Sequence, residues 1–242
     1  MRPLVAELVK VWTTPRTLLG IALAQTAIVL LGVITTVRSA VNDQATLPDR
    51  LERDVVGIAG TSLLFATLIG VLIATTEYRH GTITLSFLTT PVREKVLAAK
   101  LGAAVIVSAL LALAALVVTV GIAQVWVGGR DDYHFGSQEY ELVGRLFLSD
   151  AIVAMIGVAI GASLKRQLGA IILVLGWLFF VEQALAGLFP ETRDYLVGPS
   201  IGGLIGDDPD APSFGRSLGV LGVYLAGLGA VAVALTRRRD IT

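Results

Sequence analysis

Six long stretches of this chain run on in apolar residues with hardly a charge between their ends, and nothing else in the sequence constrains the fold as tightly. A helix rising about 1.5 Å per residue needs roughly 20 apolar residues to cross about 30 Å of hydrocarbon. Stretches near that length fall at 17–37, 55–75, 101–126, 146–164, 168–188 and 216–236, separated by charge clusters. They occupy more than half of the 242 residues and leave no connection long enough for a separate globular unit. The expected fold is all-α, one integral membrane domain over 1–242 with six transmembrane helices. Composition points the same way: charged residues are 16% of the chain, where a soluble domain carries about 25%. A soluble enzyme, a disordered tail and a disulfide scaffold are excluded together. The absence of cysteine removes thiolate catalysis and thiolate metal sites as well. The 19 basic residues are balanced by 19 acidic ones and scattered, so no face is offered to nucleic acid. The partner is membrane lipid.

Lysine and arginine set the orientation, because cytosolic segments retain them. With the N-terminus inside, twelve fall on the inner side: Arg2, Lys10, Arg16, Arg79, Arg93, Lys95, Lys100, Lys165, Arg166, Arg237, Arg238 and Arg239. Seven fall outside: Arg38, Arg50, Arg53, Arg130, Arg145, Arg193 and Arg216. Both termini are therefore expected in the cytosol of a cell whose plasma membrane holds the chain. Ahead of the first span, 1–16 reads as an interfacial helix. Leu4, Val5, Leu8, Val11 and Trp12 share an arc of about 120°, Glu7 and Lys10 lie opposite, and Trp12 serves as the headgroup anchor. Pro15 interrupts this helix before the span begins.

Catalytic and metal motifs are missing. There is no G-x-x-x-x-G-K-[ST] loop to hold a nucleotide, and His80 and His134 are assigned to opposite sides of the membrane. The loop 131–141, DDYHFGSQEYE, has no metal-ligand spacing. Glu182 is the charged residue that lies well inside an expected span, about 21 Å along its helix at about 1.5 Å per residue. A carboxylate at such depth costs at least ~2.5 kcal/mol unless paired, protonated or hydrated. It lines a translocation path or bonds across a helix interface, with Gln183 beside it. Gly157 with Gly161, and Gly215 with Gly219, are spaced for close helix contact inside the subunit. The glycine-rich run 198–206 lies in an outer segment, 189–215, that suits a re-entrant hairpin or a plain loop.

The inner segment 77–100, EYRHGTITLSFLTTPVREKVLAAK, is the most informative. Gly81 breaks the backbone after the second span, Thr82 can cap a short helix to about Leu88, and Thr90–Pro91 reads as cap and first position of a helix entering the third span. A glutamate, a Gly-Thr pair, an apolar run, then Pro, Arg and a distal Lys form a pattern filled here by Glu77, Gly81, Thr82, Pro91, Arg93 and Lys100. In this pattern, in the opening LVAELVKVWTTPRT with its Glu7 and Lys10, and in span count, the chain resembles the type-2 ABC permeases. That resemblance implies a permease subunit of an ATP-driven exporter, paired with a second permease subunit and with cytosolic ATPase subunits that carry ATP and magnesium. It further implies that 77–100 is the cytosolic coupling loop, with Arg79, Arg93 and Lys95 facing acidic groups on the ATPase. The chain itself is expected to be no enzyme and to hold no cofactor or metal. Drug, antibiotic peptide, lipid and sodium are all open as cargo. A secondary transporter coupled through Glu182 is the alternative, and a membrane-embedded enzyme a weaker one.

Overall fold

The computed structural model describes residues 3–13, 15–42, 58–89, 92–127, 137–206 and 210–238. Among them the secondary structure is helical throughout. Helix α1 (Pro3–Thr13) is followed by α2 (Pro15–Asn42), α3 (Ser62–Arg79), the short α4 (Ile83–Thr89), α5 (Arg93–Val127) and α6 (Ser137–Leu164). Then come α7 (Gln167–Gly176), a π-helical turn (Trp177–Val181), α8 (Glu182–Leu188), a 3-10 turn (Pro190–Tyr195), α9 (Val197–Ile205) and α10 (Phe214–Arg238). Six candidate spans result: Arg16–Thr35, Ser62–Arg79, Arg93–Ile122, Tyr140–Leu164, Gln167–Leu188 and Phe214–Arg237.

Helices α3 and α6 form the centre. Between lipid-solvated helices apolar burial drives little, so small residues that let backbones approach supply the packing. A Cβ added at Gly70 would lie 2.1 Å from the Ala154 carbonyl oxygen, and one at Gly157 2.2 Å from that of Thr67. At Gly161 it would lie 2.8 Å from Ala74 Cβ. The Gly157 and Gly161 ridge is thus the seam between α3 and α6. Gly215 and Gly219 behave otherwise: a Cβ at either would meet nothing within 4 Å, so they take no part in packing within the described residues. Helix α5 covers the pair, and α2 is tied to it where Gln25 Nε2 donates to the Leu111 carbonyl over 2.7 Å. The outward faces carry Leu19, Leu23, Val117, Ile172 and Val223, all exposed, which suits hydrocarbon and not water.

Two of the boundaries that differ from the sequence expectation move charged residues into helices. Helix α3 continues to Arg79, so Glu77 and Arg79 lie on its last turn instead of in a loop. Helix α6 begins at Ser137, not near 146, because its first turns carry Glu141 and Arg145 as an i,i+4 ion pair that hydropathy alone counts as loop. This places Asp150 deep in the helix and fully buried, where Ser62 Oγ donates to its Oδ2 over 2.8 Å. Glu182 is therefore not the sole acid within the spans.

One end of the bundle gathers the basic residues assigned to the inner side. Arg93 Nη1 donates to the Thr236 carbonyl (3.0 Å), Arg79 Nη1 to Gln167 Oε1 (3.1 Å), Arg237 pairs with Glu94 (2.6 Å), and Lys165 lies over the Tyr78 ring. The ends of α3 and α10 thus meet the beginnings of α5 and α7. At the opposite end the chain turns back after α8, and α9 packs against Ile152, Ile156 and Leu221, which lie inside their spans. This segment is a helix folded into the bundle, not an open loop.

Candidate functional site

At the basic end, four charged side chains from three helices close into a ring. Glu7 and Lys10 come from α1, one turn apart. Glu77 comes from the last turn of α3, and Lys100 from two turns into α5. Lys10 Nζ lies 2.5 Å from Glu7 Oε1 and 2.7 Å from Glu77 Oε1. Lys100 Nζ lies 2.8 Å from Glu7 Oε2 and 2.5 Å from Glu77 Oε2. Each carboxylate thus bridges both ammonium groups, and the charges alternate to a net of zero. Lys100 also donates to the Ile73 carbonyl, and Ser86 of α4 donates its hydroxyl to Glu77. Glu7, Glu77 and Lys100 are buried and Lys10 is half-buried. Burial disfavours the Lys10 charge, but hydrogen bonds to Glu7 and Glu77 and their negative charge outweigh it, so its pKa stands above the ordinary 10.5.

This geometry corrects the picture of α1. Glu7 and Lys10 point into the protein, Leu8 and Val11 pack on the core, and Leu4, Val5, Val9 and Trp12 are exposed. A helix that turns both its charges inward and leaves several large apolar residues outward is in the arrangement a lipid interface favours, the reverse of a water-soluble one. The remaining inner-segment residues divide. Gly81 takes φ +69° past the end of α3, and the Thr82 N–H bonds to the Glu77 carbonyl over 2.9 Å, closing the helix in the left-handed manner glycine permits. The Thr82 carbonyl then accepts the Leu85 N–H as α4 begins. Arg93 is turned back onto α10 rather than outward, because the carbonyls at that helix end lack intrahelical partners. Arg79 and Lys95 are exposed, and Pro91 lies outside the described residues. Helix α4 buries Ile83 and Ser86 and presents Leu85 and Leu88, 64% and 75% exposed.

Near the other end Glu182 is 3% exposed and fully engaged. Its Oε1 accepts Trp177 Nε1 (2.8 Å) and the Val197 N–H (2.9 Å), and its Oε2 accepts the Gly198 N–H (2.8 Å). The carboxylate therefore caps the N-terminus of α9, where free N–H groups and the helix dipole favour negative charge. This geometry provides a bond across a helix interface, and Glu182 also lines the large cavity beside α9. Gly198 is part of the fit, since a Cβ there would lie 2.7 Å from Glu182 Oε2. Trp177 and Glu182 are five residues apart, a spacing an α-helix puts on different faces. The wider π turn between them brings the two side chains together. Gln183, the next residue, is exposed and lines a large cavity beside α9.

Sequence reasoning grouped Glu7 with Lys10 and Glu77 with Lys100 but did not join the two groups. It missed Ser86, Trp177 and the Ser62–Asp150 pair altogether. Among the described residues no three His, Asp or Glu side chains are gathered for a metal ion. An all-α bundle with six helices long and apolar enough to span is a multi-pass membrane protein. No protein-family model matches the chain, and the comparison with curated proteins gives no match.

Proposed function

We propose that the chain is the permease subunit of an ABC-type exporter in the plasma membrane, with both termini cytosolic, pairing with a second permease subunit and driven by separate ATPase subunits. The observation that carries this reading is the mounting of α4. Its exposed edge, Leu85 and Leu88, faces away from the bundle, while its buried Ser86 is bonded into the ring that joins α1, α3 and α5. A force applied to that edge passes directly into two spans and the interfacial helix. The resemblance of 77–100 to the type-2 permease pattern supports the same reading. Glu182 does not favour ion-coupled secondary transport, since its oxygens are already taken by three N–H donors.

Co-expression with a P-loop ATPase encoded beside its gene tests the proposal. The expected result is a stable complex whose ATP-dependent export stops when the ATPase loses its phosphate-binding lysine. Leu85→Asp with Leu88→Asp should lower recovery of that complex while membrane insertion stays normal. Undiminished transport by this chain alone in ATP-free liposomes would overturn it.

A further inference from the structure

Beside the π turn lies a cavity of about 780 Å³, within the ~300–1,000 Å³ of small-molecule sites. Leu63 of α3, Ile156 of α6, Leu173 of α7 and Leu228 of α10 form its apolar walls, and α9 closes it with Gly198, Pro199 and Gly202, which add little bulk. So large a space with apolar walls gives water few partners, and an apolar occupant many. The polar atoms in the wall are unevenly used. Trp177 Nε1 and the Glu182 carboxylate satisfy each other and the α9 N-terminus, so neither asks for a ligand. Gln183 differs: its amide has no partner among the described residues, although it lies within the span Gln167–Leu188. An amide in that position is costly until something bonds to it. Gln183 and Phe179 are both exposed and both line the cavity, and Arg193 of the 3-10 turn lines the same space.

We infer that this cavity binds a lipid-like amphiphile, its apolar body between α3, α6, α7 and α10 and its acceptor-bearing head at Gln183 and Arg193. Residues of the π turn line the cavity on one side and the braced α9 on the other, so the site shares the contacts that fix Glu182. That the amphiphile is the exported cargo rests on the permease reading above. Binding to the chain alone does not, and the two fail separately.

The test uses Trp177 as a reporter. The chain has three tryptophans, at 12, 126 and 177, so Trp12→Phe with Trp126→Phe leaves only the one in the cavity wall. The purified permease without ATPase, in phosphatidylcholine nanodiscs, is titrated with dibromostearate, whose bromines quench indole on contact. Saturable quenching is expected. Ala186→Phe, which fills the cavity, should weaken it by about tenfold or more, and Gln183→Leu, at an exposed position that no fold contact requires, should weaken it severalfold. Gel filtration of each variant checks folding, and if Ala186→Phe aggregates, Gln183→Leu decides alone. Quenching that rises linearly with probe, or saturates identically in the variants, would overturn the site. Saturable binding without ATP-driven export of the probe by the full complex would leave the site standing and remove only its role as cargo.

Discussion

Lys100 is buried between two carboxylates, 2.8 Å from Glu7 and 2.5 Å from Glu77, so deleting its ammonium leaves two negative charges to share the half-buried Lys10. Breaking a buried pair by removing one partner costs about 3–5 kcal/mol, most of it the stranded charge. Lys100→Met should therefore lower the thermal midpoint of the detergent-solubilised protein sharply. Lys100→Met with Glu7→Gln restores neutrality, and should be less destabilised than the sum of the two single variants. Additive losses in that cycle would show that the four groups do not act as one ring. Protonation adds a sign. Because the folded pKa of Lys10 is raised, the stability it contributes is complete below the ordinary 10.5 and is lost only as pH climbs through the folded value. Lys10 thus keeps its charge throughout the neutral range and acts there as a joint, not as a pH sensor.

At the scale of elements, the seam between α3 and α6 reverses the ordinary ranking of glycine and alanine. Alanine in a helix interior is favoured over glycine by about 1 kcal/mol. At Gly157 the added methyl would sit 2.2 Å from the Thr67 carbonyl oxygen, so the helices must separate. Gly157→Ala should destabilise the protein, whereas Gly219→Ala, with open space around it, should be neutral or mildly stabilising. Thermal midpoints of the two variants side by side check this, and equal effects would remove the seam as the organising contact. The two glycine pairs are alike in sequence, each spaced by four residues. Only the presence of another backbone alongside separates them, and that information is absent from either helix taken alone.

For the whole molecule, the meeting of Arg79, Arg93, Lys165 and Arg237 at one end of the bundle agrees with the segments that the excess of basic residues assigns to the inner side. Reporter fusions at Thr242 and in the loop at Asp131 should then report opposite sides of the membrane. The same side for both would mean a wrong span count. Such agreement is expected, because an even number of antiparallel crossings returns alternate loops to the same face whatever the details of packing.

The number of spans and the helical class were legible in the sequence because each follows from local hydropathy summed over some 20 residues, and the gathering of the basic segments at one end because alternate loops return to the same face. The break at Gly81 was legible for a similarly local reason, a residue that adopts the left-handed turn without the steric cost of a Cβ. Tertiary structure decided what depends on a second element. It turned Glu7 and Lys10 inward onto Glu77 and Lys100, which lie about 70 to 90 residues away along the chain. Through a π turn that no pattern announces, it made Glu182 the cap of α9. It also moved Asp150 from the first turn of the expected fourth span to mid-helix, buried beside Ser62. The physical reason is common to all three. Hydropathy states how much a residue costs in lipid, but only the partner that meets it across the fold determines whether that cost is paid.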